Sequence, residues 1–588
     1  MKLTTCKFKC RNLLFVGAFF VLYTASTCLA VEPLNLLVTL DRLSPPQSSF
    51  NKLKHASAAG KYLAGRHAQL EQNFKTAAKY LSKALTLDPT NSRILQKTFF
   101  SLIAIGHMSA ASVLAKKILV KNKNAPIATL NLVVEDVISG RYKFAKDRLK
   151  SLPKKGINIY TIPLLMSWTE AGNGSTQDAI KALDGLANFK EFSVLRYLHT
   201  GLIYEKAKRY KEADISFRKA TEKIKTSRVI QAHTSFLVRN GRGQEAKALY
   251  KRFFQQDPAS DTFQEDFKFL SSKELSREFV RNSREGMAEV FFNLSGTLAQ
   301  NGSSELALIY GRFALRLYPE FSIAKVLVGG LLESISRKKE AIKIYEEVSP
   351  QSSLYWLAGL RRASVLINLG RTDAAVRLLR NFTKERALWA APLIQLGDLF
   401  RIKKRYREAV NAYEKAFKRI GKLRTQHWFL LYARGISYER DKRWESAEED
   451  FLRALEFNPQ DPFVLNYLCY SWVDRHIHLD RAKTMIKKAV KLRPKDGYIV
   501  DSLGWVLYKL GDYLGATKEL EKAVLLKPGD PIINDHLGDA YWRVGRIIEA
   551  RFQWKRALSL DPANDQIPIL NEKLIKGLGK KNLKDNHT

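Results

Sequence analysis

Cysteine is nearly missing from this 588-residue chain: there are four, and Cys6, Cys10 and Cys28 fall within the first thirty residues. Only Cys469 lies beyond them, and a single thiol forms no internal disulfide. No alternating strand-like run is prominent, which argues against a sheet-built fold. Catalytic signatures are also missing. There is no phosphate loop, no nucleophile elbow and no HExxH. The ten histidines are dispersed. His476 and His478 form the one close pair, with only Cys469 nearby, and two imidazoles do not complete a metal's coordination shell. Asp501 and Asp535 lie 34 residues apart and are not read as a catalytic carboxylate pair. No catalytic, cofactor-binding or metal residue is therefore assigned, and the chain is read as non-enzymatic. Acidic residues are outnumbered, 58 against 98 basic ones, for a formal charge of +40. The excess is scattered and often interleaved with acids, as in Arg443, Glu445, Glu448, Glu449 and Asp450. With no basic-aromatic platform or finger, nucleic acid is not an expected partner. A solvated cationic surface is one reading of this charge. Attraction to an acidic protein, or to the lipid and polysaccharide of a bacterial envelope, is the other.

What is present begins with a leader-like start. Lys2, Lys7, Lys9 and Arg11 precede an apolar stretch over 13–23 that is short for a membrane span. Cys28-Leu29-Ala30 then offers small residues at the minus-three and minus-one positions of a cut before Val31. The expectation is an exported protein with a signal peptide over 1–30. The alternatives are retention of that segment as an anchor, or lipidation at Cys28, for which Thr27 and Ala25 are poor neighbours. Export without disulfides fits the periplasm of a Gram-negative bacterium.

A ladder of alanines runs through the rest: Ala77, Ala111, Ala145, Ala179, Ala213, Ala246, Ala307, Ala341, Ala375, Ala409, Ala447, Ala482, Ala516 and Ala550. Most gaps are 34 residues; the exceptions are 33, 61, 38 and 35. With the ladder alanine counted as position 20, position 8 is small in most copies (Gly65, Gly201, Gly397, Gly504, Gly538). Position 24 is bulky (Leu81, Phe217, Tyr345, Tyr413, Trp554), and proline recurs at position 32 (Pro89, Pro319, Pro528, Pro562). Small-to-large packing between two helices, stopped by proline, is the implied unit. The fold class is all-α, a solenoid that grows by adding units rather than by enlarging one core. Copies before Leu195 are degenerate, since Phe99 and Val133 fill position 8.

On these residues the chain resembles the tetratricopeptide repeat family over about 58–565, most strongly from Ala390 onward, where Leu393, Leu396, Gly397, Phe400, Ala409, Tyr413 and Ala416 follow the pattern. The resemblance implies a right-handed α-solenoid of about fourteen units. It also implies that positions 2, 5, 9, 12 and 13 of each first helix line a concave groove. Carried over, these are Tyr432, then Asn466, Tyr470 and Asp474, then Tyr498, Asp501, Trp505 and Tyr508, then Asp535, Asp539, Trp542 and Arg543. Aromatic area beside polar groups suits an extended peptide or an inserted helix. The lysine and asparagine of a carboxylate clamp are not there.

The 61-residue gap implies an insertion at 260–287, with Phe263, Phe267, Leu270, Leu275 and Phe279 at helical spacing. The expected order is a signal (1–30), a linker (31–57), a first sub-array (58–259), the helical insertion (260–287), a second sub-array (288–565), and a capping helix with a basic tail (566–588). The expected function is a protein–protein interaction scaffold or adaptor of the bacterial envelope. The C-terminal repeats resemble those of Gram-negative envelope proteins that include adaptors of periplasmic C-terminal processing proteases, which supplies one alternative. A cationic binder of anionic envelope lipid or polysaccharide supplies the other.

Overall fold

Small-to-large packing is what the computed structural model displays throughout residues 57–223, 226–256 and 278–579, the part it describes. Twenty-nine α-helices and no strand occur among the described residues. Every ladder alanine is buried, Ala246 being the most open at 2%. Position 8 is small because a ring from position 24 lies against it. A Cβ on Gly397 would stand 2.6 Å from the Tyr413 ring, and one on Gly538 would stand 2.5 Å from the Trp554 indole. In the degenerate copy the sizes are exchanged: Phe99 fills position 8, and Ala115 stands at position 24, both buried. Volume is thus conserved where the pattern is not. The turn between the two helices of a unit takes a left-handed residue, as at Gly511 (φ 84°) and Gly545 (φ 82°).

The chain divides by contact into two compact units, Met1–Phe382 and Thr383–Thr588. In the first, helix Ser283–Gln300 packs on Asn158–Gly172, and Ser304–Leu317 packs on both Ser92–Ala104 and Pro126–Ile138. Repeats on either side of 257–277 therefore share one unit. Arg316 ties this packing with a two-pronged bond to Glu135, at 2.9 and 3.0 Å. Most of the 260–287 insertion lies outside the described residues, as do the 1–30 signal, nearly all of the linker and the tail from 580. Phe279 is described, and the Arg228 guanidinium stands 4.0 Å from its ring.

The second unit continues as helix pairs, among them Trp428–Arg440 with Trp444–Phe457, Pro462–Asp474 with Leu479–Leu492, Gly497–Lys509 with Tyr513–Leu526, and Pro531–Arg543 with Ile547–Ser559. The four extra residues before Trp428 make a longer turn, entered at Gly421 with φ 68°. A last helix, Gln566–Lys576, buries Leu570 against this stack. Cys469 is fully buried, and burial pushes its thiol up to about 12, so it packs rather than reacts. No helix among the described residues is long and apolar enough to cross a membrane.

Candidate functional site

The first helices of the last repeats stand side by side, and each start is fixed locally. The carboxylates of Asp461, Asp496 and Asp530 accept from the backbone N–H groups two and three residues on, and Pro462 and Pro531 occupy the first turn. These caps set the rotation of each helix and so decide which side chains share one face.

Along that face the twelve sequence-assigned residues fall into two groups. Tyr432, half-buried, meets the Tyr467 ring edge-on at 6.0 Å. Tyr470 is half-buried as well. Burial first, then the Asp501 and Asp474 carboxylates, push its hydroxyl up to about 12, so it stays protonated and able to donate. Asp474 is exposed, Tyr498 and Asn466 are half-buried, and the Lys527 ammonium stands 5.2 Å from the Tyr498 ring. The Asn466 carbonyl oxygen (Oδ1) is buried without a hydrogen-bond partner among the described residues.

The remaining seven are held by the chain itself. Asp501 receives His536 Nδ1 at 3.0 Å. Trp505 stacks between His536 (4.0 Å between centroids) and Tyr508 (4.9 Å). Burial opposes charge on His536, but Asp501, together with Asp535 and Asp539, outweighs it and raises the imidazole above its ordinary 6.5. Lys573, from the last helix, places its ammonium between Asp535 at 2.7 Å and Asp539 at 2.8 Å. Burial and the neighbouring Asp535 raise the Asp539 carboxyl, against the pull of Lys573. Asp539 also accepts from the Trp554 indole at 2.9 Å. Beyond the helix end, the Leu578 carbonyl accepts from Trp542 Nε1 at 3.1 Å, and the Gly579 carbonyl accepts from Arg543 at 3.0 Å. Gly577 allows this approach, since a Cβ there would stand 1.9 Å from the Trp542 ring. Asp535, Asp539, Trp542 and Arg543 thus face the chain's own end rather than an open groove. The sequence reading missed His536 and Lys573. His536 lies one residue from an assigned position, but nothing in the cap's sequence singles Lys573 out as the partner of two aspartates.

Family models described as tetratricopeptide repeat match residues 428–461, and residues 196–222 and 390–422. A TPR repeat-containing protein of Pseudomonas aeruginosa is 28% identical over 194 residues, 33% of this chain and 32% of the relative. Tetratricopeptide repeat protein 14 of Mus musculus is 32% identical over 132 residues, 21% of this chain and 16% of the relative. The chain therefore spans a third or less of the length of these curated relatives. Among solved structures, the APC/C hetero-tetramer Cut9–Hcn1 is similar at 14% identity and a TM-score of 0.37, over 90% of this chain and 98% of that one. MamA is similar at 22% identity and a TM-score of 0.25, over 29% and 97%.

Proposed function

Because the chain belongs to the tetratricopeptide-repeat proteins, we propose that it is a non-enzymatic scaffold whose second unit binds an extended segment of a partner protein. The observation that carries this is the last repeat's own occupancy. Its face already holds the chain's own end: Asp535 and Asp539 read a lysine of the last helix, and Trp542 and Arg543 read two backbone carbonyls just past that helix. The same combination of rings and polar groups continues over Tyr432, Asn466, Tyr470, Asp474 and Tyr498. Rings contribute contact area at low entropy cost, and polar groups set the register of a bound backbone.

The working place we propose is the bacterial envelope, on the support of the leader-like first thirty residues and the scarcity of cysteine. The test is crosslinking in the native cell followed by identification of co-purified proteins, for the natural chain and for Asp474→Lys combined with Tyr498→Ala. Loss of a captured protein at unchanged helical content is expected. A processing protease in the captured set would make the chain its adaptor. Recovery of anionic lipid or polysaccharide alone, or of a partner indifferent to both substitutions, would end the scaffold reading.

A further inference from the structure

The first unit contains a nearly buried guanidinium with no acid at ion-pair distance among the described residues. Arg312 is 8% exposed; among the described residues it pairs with no acid and makes one hydrogen bond, from Nε to the Ala104 carbonyl at 3.3 Å. Its neighbours are compensated: Arg316 by Glu135, and Arg337 by Glu340. Glu340 and Glu347 favour its charge only from beyond ion-pair distance, and a guanidinium has five N–H donors to satisfy, so the ones not held by Ala104 are open to a ligand. Burial and Arg337 together pull Arg312 down to about 10, and it still carries its proton at neutral pH.

Arg312 lines an open cleft of about 470 Å³, with Gly106, His107, Met108, Ser109, Arg316 and Pro319 among the other walls. The floor is the start of helix Met108–Lys121, whose N-cap residue, His107, makes no side-chain capping bond. Ser109 and Ala110 in its first turn are orphan N–H donors, and the helix dipole adds positive character there. A Cβ on Gly106 would lie 3.4 Å from Arg312 Nη1, so the guanidinium sits against the backbone entering this helix.

The start of this helix also departs from a device used elsewhere in the array. At Arg209, Arg242, Arg337, Arg405 and Arg546 an arginine before or at the helix start clasps a glutamate three residues on. Here the two places hold His107 and Ala110, so no carboxylate closes the helix end.

We propose that the cleft is an anion site for a phosphate-type group. Arg312 and the first-turn amides of the helix would hold the oxyanion. Helix starts flanked by a guanidinium bind phosphate through just these groups. The group is either a free phosphate or a lipid headgroup.

The test uses the full chain. Its melting temperature is followed as inorganic phosphate replaces chloride at constant ionic strength, and the affinity is measured by calorimetry. Phosphate should raise the melting temperature of the natural chain, since a ligand of the native state stabilises it by mass action. Arg312→Met should weaken phosphate binding by roughly tenfold or more and should not lower the melting temperature in chloride. Ala110→Glu, at an exposed position, supplies the missing acid and should abolish the phosphate response on a folded chain. Co-sedimentation with phosphatidylglycerol vesicles, against phosphatidylcholine vesicles, separates the sources. Binding weakened by Ala110→Glu assigns a lipid headgroup, and binding it leaves unchanged assigns a free phosphate. A natural chain whose melting ignores phosphate, or an Ala110→Glu chain that responds as the natural one does, overturns the site and leaves Arg312 as a cap on helix Ser92–Ala104.

Discussion

At the scale of single residues, the repeat is a statement about volume. Gly397 is required by the Tyr413 ring 2.6 Å from where its Cβ would be, not by backbone conformation. Gly397→Leu should therefore destabilise the second unit by about 1–3 kcal/mol or more through overpacking. Chemical denaturation should show a lower midpoint, and pairing the change with Tyr413→Ala should recover part of the loss. This part of the structure was legible in advance, because steric fit between helices leaves a trace at fixed spacing. The partners of the assigned groove residues were not. Asp539 reads as a groove acid, yet its carboxylate is 2.8 Å from Lys573, one repeat length further on in the helix that follows the last repeat. Periodicity gives the spacing of such a contact but not the residue types that make it once.

At the scale of elements, the last helix acts as both a cover and an occupant. Leu570 seals the apolar end that a final repeat cannot bury alone. Lys573, Leu578 and Gly579 fill the polar face beyond it. Lys573→Gln removes the ammonium from between two carboxylates while keeping the length of the side chain. It should lower the melting temperature of the second unit, because Asp535 and Asp539 would then face each other unpaired. A peptide spanning Gln566–Gly579, labelled and added in trans, should bind the Lys573→Gln chain more strongly than the natural one, as read by fluorescence anisotropy. Equal binding to both would show that the segment is a fixed cap with no exchange. The helices themselves and their proline stops follow from spacing. The docking of the terminal helix through Lys573 does not, since an amphipathic helix can lie on a stack in more than one rotation.

At the scale of the molecule, the two units answer pH in opposite directions. His199 is fully buried, accepts from the Trp168 indole at 3.0 Å, and is held down to about 3 by burial. His233 is held down to about 4, with burial again the leading cause. A histidine depressed in the folded state contributes stability that is present above its ordinary 6.5 and lost as pH falls toward the folded value. The first unit should therefore lose stability, on the order of several kcal/mol, as pH falls from about 6.5 toward 4. His536 in the second unit is raised above 6.5, so its contribution is complete below that value and is lost as pH rises through the folded pKa. Thermal melting across pH should resolve two responses. His199→Gln should flatten the acid-side loss, and His536→Gln the alkaline-side loss; a single transition indifferent to both would contradict the assignment.

The sequence by itself determined the unit, its size, its helical class and its stops. Those features arise from contacts that repeat at one interval, and repetition is visible in one dimension. Tertiary structure decided which polar groups are free. It placed His536 on Asp501, Lys573 between two aspartates, and left Arg312 without an acid at the open start of a helix. Each of these depends on residues brought together once, at separations of tens to hundreds of positions, where only the folded path fixes who meets whom.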